Sequence, residues 1–134
     1  MDWTTVKKAI VTYLATWSTS AIMYPGQSVR PTSTDWVEIH WLDHQEDFVP
    51  GNDSPRGYLL LHVGLFSKSE NIYATDILQK ELSAFLHQKD LKITGYMLRF
   101  GELSGTQIPW RGTENIEKEI QYRACSIRVA IFGE

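Results

Sequence analysis

The stretch DWVEIHWLDH, residues 35–44, decides the fold. Val37, Ile39 and Trp41 alternate with Trp36, Glu38, His40 and Leu42, the period of two that marks a strand. Trp36 and Trp41 stand five positions apart, an odd offset, so on a strand their indoles leave by opposite faces. One can enter the chain's own core, and the other needs a second cover. Two placements are open for Trp36: burial under a helix, or burial against another subunit.

The next apolar segment, RGYLLLHVGLF at residues 56–66, sets Leu59, Leu61, Val63 and Leu65 on one face and Tyr58, Leu60, His62, Gly64 and Phe66 on the other. Both faces are again largely apolar. Between the two strands lies DHQEDFVPGNDSP, residues 43–55, where four acidic side chains, two prolines and a glycine read as a projecting loop. Upstream, Val6, Ala9, Ile10, Tyr13, Leu14 and Trp17 make one helical stripe that Asp2 or Thr4 can cap and that should end near Ser18. A short extended piece, Ala21 to Tyr24, follows it. Downstream of the turn SKSEN, with Ser69 or Asn71 as cap, Tyr73, Ile77, Leu78, Leu82, Phe85 and Leu86 predict a second helix running to about Gln88.

LKITGYMLRF, residues 91–100, reads as a third long strand. YRACSIRVAIF, residues 122–132, reads as a fourth, with Cys125, Ile127, Val129 and Ile131 inward and Arg123 and Arg128 on opposite sides. Residues 101–121 read as a long connection with one helical turn around Ile116 and Ile120. The expected fold class is α+β: a mostly antiparallel four- to five-stranded sheet with two main helices packed on it, in one domain over residues 1–134.

Composition narrows the function. The chain of 134 residues carries 13 Lys and Arg against 16 Asp and Glu, a formal net charge of −3, so it lacks the overall basic footprint of a duplex- or membrane-binding protein. The one cysteine cannot form an internal disulfide, and no apolar run approaches the roughly 20 residues that cross a bilayer. The expectation is a soluble protein kept inside a cell.

No active-site pattern emerges. His40 and His44 would pair for a metal on a helix, but on a strand they stand about 13 Å apart. His62 lies opposite His40 only if the two central strands pair in one register, which no sequence rule fixes. Cys125, inside an alternating strand, reads as a small buried apolar residue. Asp43, Glu46, Asp47 and Asp53 match no calcium loop, and neither GxGxxG nor GxxxxGK[ST] occurs. The expectation is a non-enzymatic protein with no cofactor and no metal. Trp110 and Arg111, side by side in the long connection, are the residue types most enriched at interface hot spots, although Trp110 could equally fold back over a sheet edge.

The order of these signals resembles the tail terminator, or tail completion, proteins of long-tailed bacteriophages. The likeness runs from about residue 3 to 132 and rests on IMYPGQ before a Pro/Thr loop, TDWVEIHWL, RGYLLLHVGLF, IYATDILQKELSAFL and the closing YRACSIRVAIF. Family members commonly place a proline- and glycine-bearing turn where this chain has SKSEN. The family has no catalytic residues to carry over. The resemblance implies a homohexameric ring that caps the tail tube protein, ends its polymerisation and offers a surface to the head-completion or connector protein. It implies residence at the head-proximal end of the tail, after assembly in the host cytoplasm, with genomic DNA only passing through the lumen and no membrane contact. Candidate contacts to neighbours, tube or connector are Trp36, Asp43, Glu46, Asp47, Phe48, Trp110 and Arg111.

Overall fold

The computed structural model describes residues 1–47, 54–87, 89–108 and 120–133. Two helices, α1 (Trp3–Leu14) and α2 (Ala74–Leu86), pack on one face of a sheet built from β1 (Ala21–Met23), β2 (Asp35–Asp47), β3 (Arg56–Ser67), β4 (Asp90–Ile93), β5 (Tyr96–Phe100), β6 (Ser104–Ile108) and β7 (Gln121–Gly133). The strand order is β1-β2-β3-β7-β5-β4, with β6 also pairing β7. The α+β class stands. The sheet is larger than the four to five strands expected, and it is mixed, because β1 runs parallel to β2 while every other pair is antiparallel.

Two features account for the extra strands, and a third lengthens β2. LKITGYMLRF is a hairpin rather than one strand: Ile93 pairs with Tyr96 across Thr94 and Gly95, and Gly95 sits at φ +87, a left-handed conformation that glycine adopts at little cost. Ser104–Ile108, polar enough to read as loop, pairs with the first half of β7. There a Cβ at Gly105 would lie 2.2 Å from the Ala124 carbonyl oxygen, so the two strands need a glycine to approach as they do. Residues 43–47 are strand, not loop, since the β2–β3 ladder continues through Asp43–Leu60 to Asp47–Arg56. Ile120 precedes β7 without helical structure, and Ile116 lies outside the described residues.

The helices begin and end for local reasons. Asp2, not Thr4, caps α1: its carboxylate accepts from the Thr5 amide at 3.2 Å and the Thr5 hydroxyl at 2.7 Å. α1 stops at Leu14, short of Ser18, because Thr16 and Trp17 donate to carbonyls three residues back and tighten the last turn. Neither Ser69 nor Asn71 is the N-cap of α2. Instead Ser67, Ser69 and Asn71 each accept from the amide two residues on, a relay that delivers the chain to an N-cap at Tyr73. Its buried stripe is Ala74, Leu78, Leu82 and Leu86, and the helix ends at Leu86 rather than Gln88.

The main core lies between the helices and the sheet. Leu59, Leu61, Val63 and Leu65 of β3, Cys125, Ile127, Val129 and Ile131 of β7, and Val37 and Ile39 of β2 face it, all at most 2% exposed. Val6, Ile10 and Leu14 of α1 close it, and Tyr13 stacks on Phe85 of α2 at 4.6 Å. Among the described residues, no helix packs on the opposite face of the sheet.

Candidate interaction surfaces

The uncovered face begins with an aromatic column. Tyr122, Phe66 and Trp36 occupy adjacent positions on β7, β3 and β2, with ring centroids 4.6 and 5.1 Å apart and planes within 11° and 5° of parallel. Trp36 is only 1% exposed, and Ile120 packs on the same cluster. Its indole N–H donates to Glu38 at 2.8 Å, and Arg30 reaches the same carboxylate at 2.9 Å, which lets Glu38 lie 95% buried without an unpaired charge. Lys68 stands 5.4 Å from the Trp36 ring. Neither placement left open for Trp36 is the one adopted. Its own chain covers it, on the face away from the helices, so the indole offers no free surface to a neighbour.

His40 and His62 do sit opposite each other, with rings 6.1 Å apart, and His62 Nε2 lies 3.1 Å from the Tyr122 hydroxyl. His44 is elsewhere. A bulge between Trp41 and Asp43 ejects Leu42 and reverses the alternation, turning His44 to the helix side, where it stacks on Trp3 at 4.3 Å. Among the described residues no group of three or more His, Cys, Asp or Glu is arranged to hold a metal.

Burial, assisted by the neighbouring His40, holds the His62 pKa below its ordinary value, against the opposing pull of Glu38. The unfolded chain therefore binds this proton more readily than the folded one, and stability falls as pH drops through the unfolded imidazole's range near 6.5 toward the folded pKa. His62→Gln is expected to flatten the stability profile between about pH 7 and 5. Denaturant melts across that range would show the wild-type slope persisting in the variant if His62 were not its source.

Cys125 is buried in β7, where desolvation pushes its thiol up to about 11 although Arg123 pulls the other way. The thiolate is the reactive form. At pH 8 the native protein is expected to react with a water-soluble disulfide reagent only at the rate of unfolding, and at full speed in denaturant. Rapid labelling of native protein would contradict this placement.

The acidic candidates lie on the outer half of the β2–β3 hairpin. Asp43 and Asp47 point to the uncovered face, and Asp47 pairs across the ladder with Arg56. Glu46 points to the helix side and takes the N-terminal ammonium at 3.1 and 3.2 Å. Phe48, Trp110 and Arg111 lie outside the described residues. A cleft of about 480 Å³ opens beside α2, lined by hydroxyls from Ser18, Thr19, Ser20 and Ser33 and by Asp35 and Glu81. Sequence reasoning misplaced Tyr73 and Ile77. They belong to no buried stripe, and with Ile72 they stand 62%, 47% and 66% exposed respectively. The available signal was Leu78, Leu82 and Leu86 at strict four-residue spacing, which leaves Ile77 a quarter turn off the core.

No protein-family model matches the chain. No curated protein matches it. Among solved structures, the fold matches a chain in the virion of a native gene transfer agent (GTA) particle, with a TM-score of 0.61 at 12% identity, over 94% of this chain and 93% of that one. At this identity the likeness is one of fold, and it takes in nearly the whole of both chains. No helix among the described residues is long and apolar enough to cross a membrane.

Proposed function

We propose that the chain is a structural protein of a phage-type virion. The observation that carries this reading is the end-to-end fold match to a virion chain, 94% of this protein on 93% of that one. More particularly, it acts as a tail terminator: a ring of six copies that caps the tail tube, stops its polymerisation and gives the head connector its seat. Three features support that role. The motifs of residues 34–42, 56–66, 72–86 and 122–132 resemble those of tail terminators. Among the described residues one face of the sheet carries no helix, and an apolar patch stands exposed on α2, so the subunit has surfaces for neighbours. The formal net charge of −3 suits a lumen through which DNA slides, since holding duplex takes several cations per subunit.

The test is assembly on tubes. The purified protein is expected to form six-fold rings, seen by light scattering and negative-stain imaging, at high concentration or on added tail tubes, and to halt tube elongation. Monomers alone, even with tubes present, would sink the ring. Rings that bind a connector but leave tube growth untouched would make it a different neck protein.

A further inference from the structure

Three of the five large apolar side chains exposed among the described residues stand together at the start of α2: Ile72, Tyr73 and Ile77. Single exposed apolar residues are ordinary, whereas a contiguous group marks a contact surface. Tyr73 is the N-cap and Ile77 lies one turn on, its amide bonded to the Tyr73 carbonyl at 3.0 Å, so both project from one side of the helix as a knob. Ile77 also walls the cleft beside α2. Exposed Glu70, Asp76 and Glu81 flank this knob, with Asp76 paired to Arg123 and exposed Lys80 beside Glu81, which leaves the rim net acidic.

The uncovered sheet face has a complementary region. Met97, Phe132 and Ala130 are half-buried neighbours on β5 and β7, because Met97 pairs with Phe132 and Arg99 with Ala130. Lys92, Arg99 and Arg128 ring this strip, with Arg128 lying 4.1 Å over Tyr58. Asp90 offsets part of that charge through its pair with Arg99. An apolar strip with a cationic rim thus matches an apolar knob whose rim is net acidic.

We infer that these two surfaces meet between copies: the α2 knob of one subunit seats on the β5–β7 strip of the next. The occupant of the strip is a second copy of this chain. Such contact gives the apolar strip on β5 and β7 a helical cover. Two different patches make the contact heterologous, so it repeats from copy to copy rather than stopping at a dimer, and it forms a ring when the rotation between copies closes. The inference rests on the ring reading above and supplies its subunit interface.

The experiment compares Ile77→Asp with the double variant Met97→Asp/Arg128→Glu by sedimentation velocity, at concentrations where wild type assembles. Circular dichroism melts check that each variant folds. Each alone is expected to associate on the order of a hundredfold more weakly, since a carboxylate must be buried unpaired. Mixed one to one, they should form dimers and nothing larger, because the intact strip of one accepts the intact knob of the other. Assembly of Ile77→Asp like wild type would overturn the knob while leaving the ring standing. Variants that stay monomeric when mixed would show that the two patches do not meet each other. Wild type that remains monomeric even on tail tubes would remove the ring itself.

Discussion

Trp36→Ala is expected to lower the unfolding free energy of the monomer by about 3–5 kcal/mol, the range for deleting a large aromatic from a packed site. In a domain of this size that moves the melting temperature down by about 10–20 °C. The reason is its placement. The indole is 1% exposed, stacked on Phe66, and its N–H donates to the buried Glu38 carboxylate. Trp36→Phe keeps most of the stacking and loses the hydrogen bond to a charge, so it should cost about 1.5–3 kcal/mol. Glu38 then still has Arg30. Urea melts at protein concentrations too low for assembly measure both. If Trp36→Ala cost less than about 1 kcal/mol while abolishing rings, the indole would belong to a subunit interface instead.

Much of this arrangement was legible. The alternation in residues 35–41 and 56–66 separated the two faces of each strand without choosing the buried one, and that in 122–132 named the inward face correctly as Cys125, Ile127, Val129 and Ile131. Where the reading failed, a local device or a tertiary pairing had overridden the pattern. The bulge at Leu42 breaks the period of two, so the ladder continues into acidic residues that look like loop. β6 is polar, and only its partner β7 makes it a strand. Thr94-Gly95 is a two-residue turn hidden in an otherwise apolar run. The parallel β1 pairs across residues 24–34, and no local pattern announces a crossover of that kind.

The contact surfaces were harder to read. Trp36 was singled out correctly as a residue needing cover, but sequence cannot say that the cover is Phe66, Arg30 and Ile120, brought together from three separate segments. Tyr73 and Ile77 looked like core because they stand four residues apart, a helical offset, and Ile77 adjoins Leu78. The structure resolves the stripe to a narrower set, and the discarded residues become the exposed knob. The His40–His62 pairing shows the same limit: its register follows from a bulge and a ladder, neither visible in either strand alone.

Phe100→Ala is expected to cost about 3–5 kcal/mol as well, by emptying the other face of the sheet. Phe100 is 0% exposed on β5 and lies 5.6 Å from Tyr13, the residue that ties α1 to α2. It belongs to the helix-side core, whereas Trp36 belongs to the separate cluster behind the sheet. β2 and β5 are three strands apart, about 14 Å at the usual spacing, and the two side chains point to opposite faces. Losses at sites so separated should add to within about 0.5 kcal/mol. Since a domain of this kind is stable by only about 5–15 kcal/mol, the double alanine variant should be largely unfolded at 25 °C. Additivity is therefore measured with the milder pair, Trp36→Phe and Phe100→Leu, in urea at low protein concentration. A coupling energy above about 1 kcal/mol would mean that the strands carry strain from one face to the other, and that the uncovered face cannot accept a neighbour without disturbing the core beneath it.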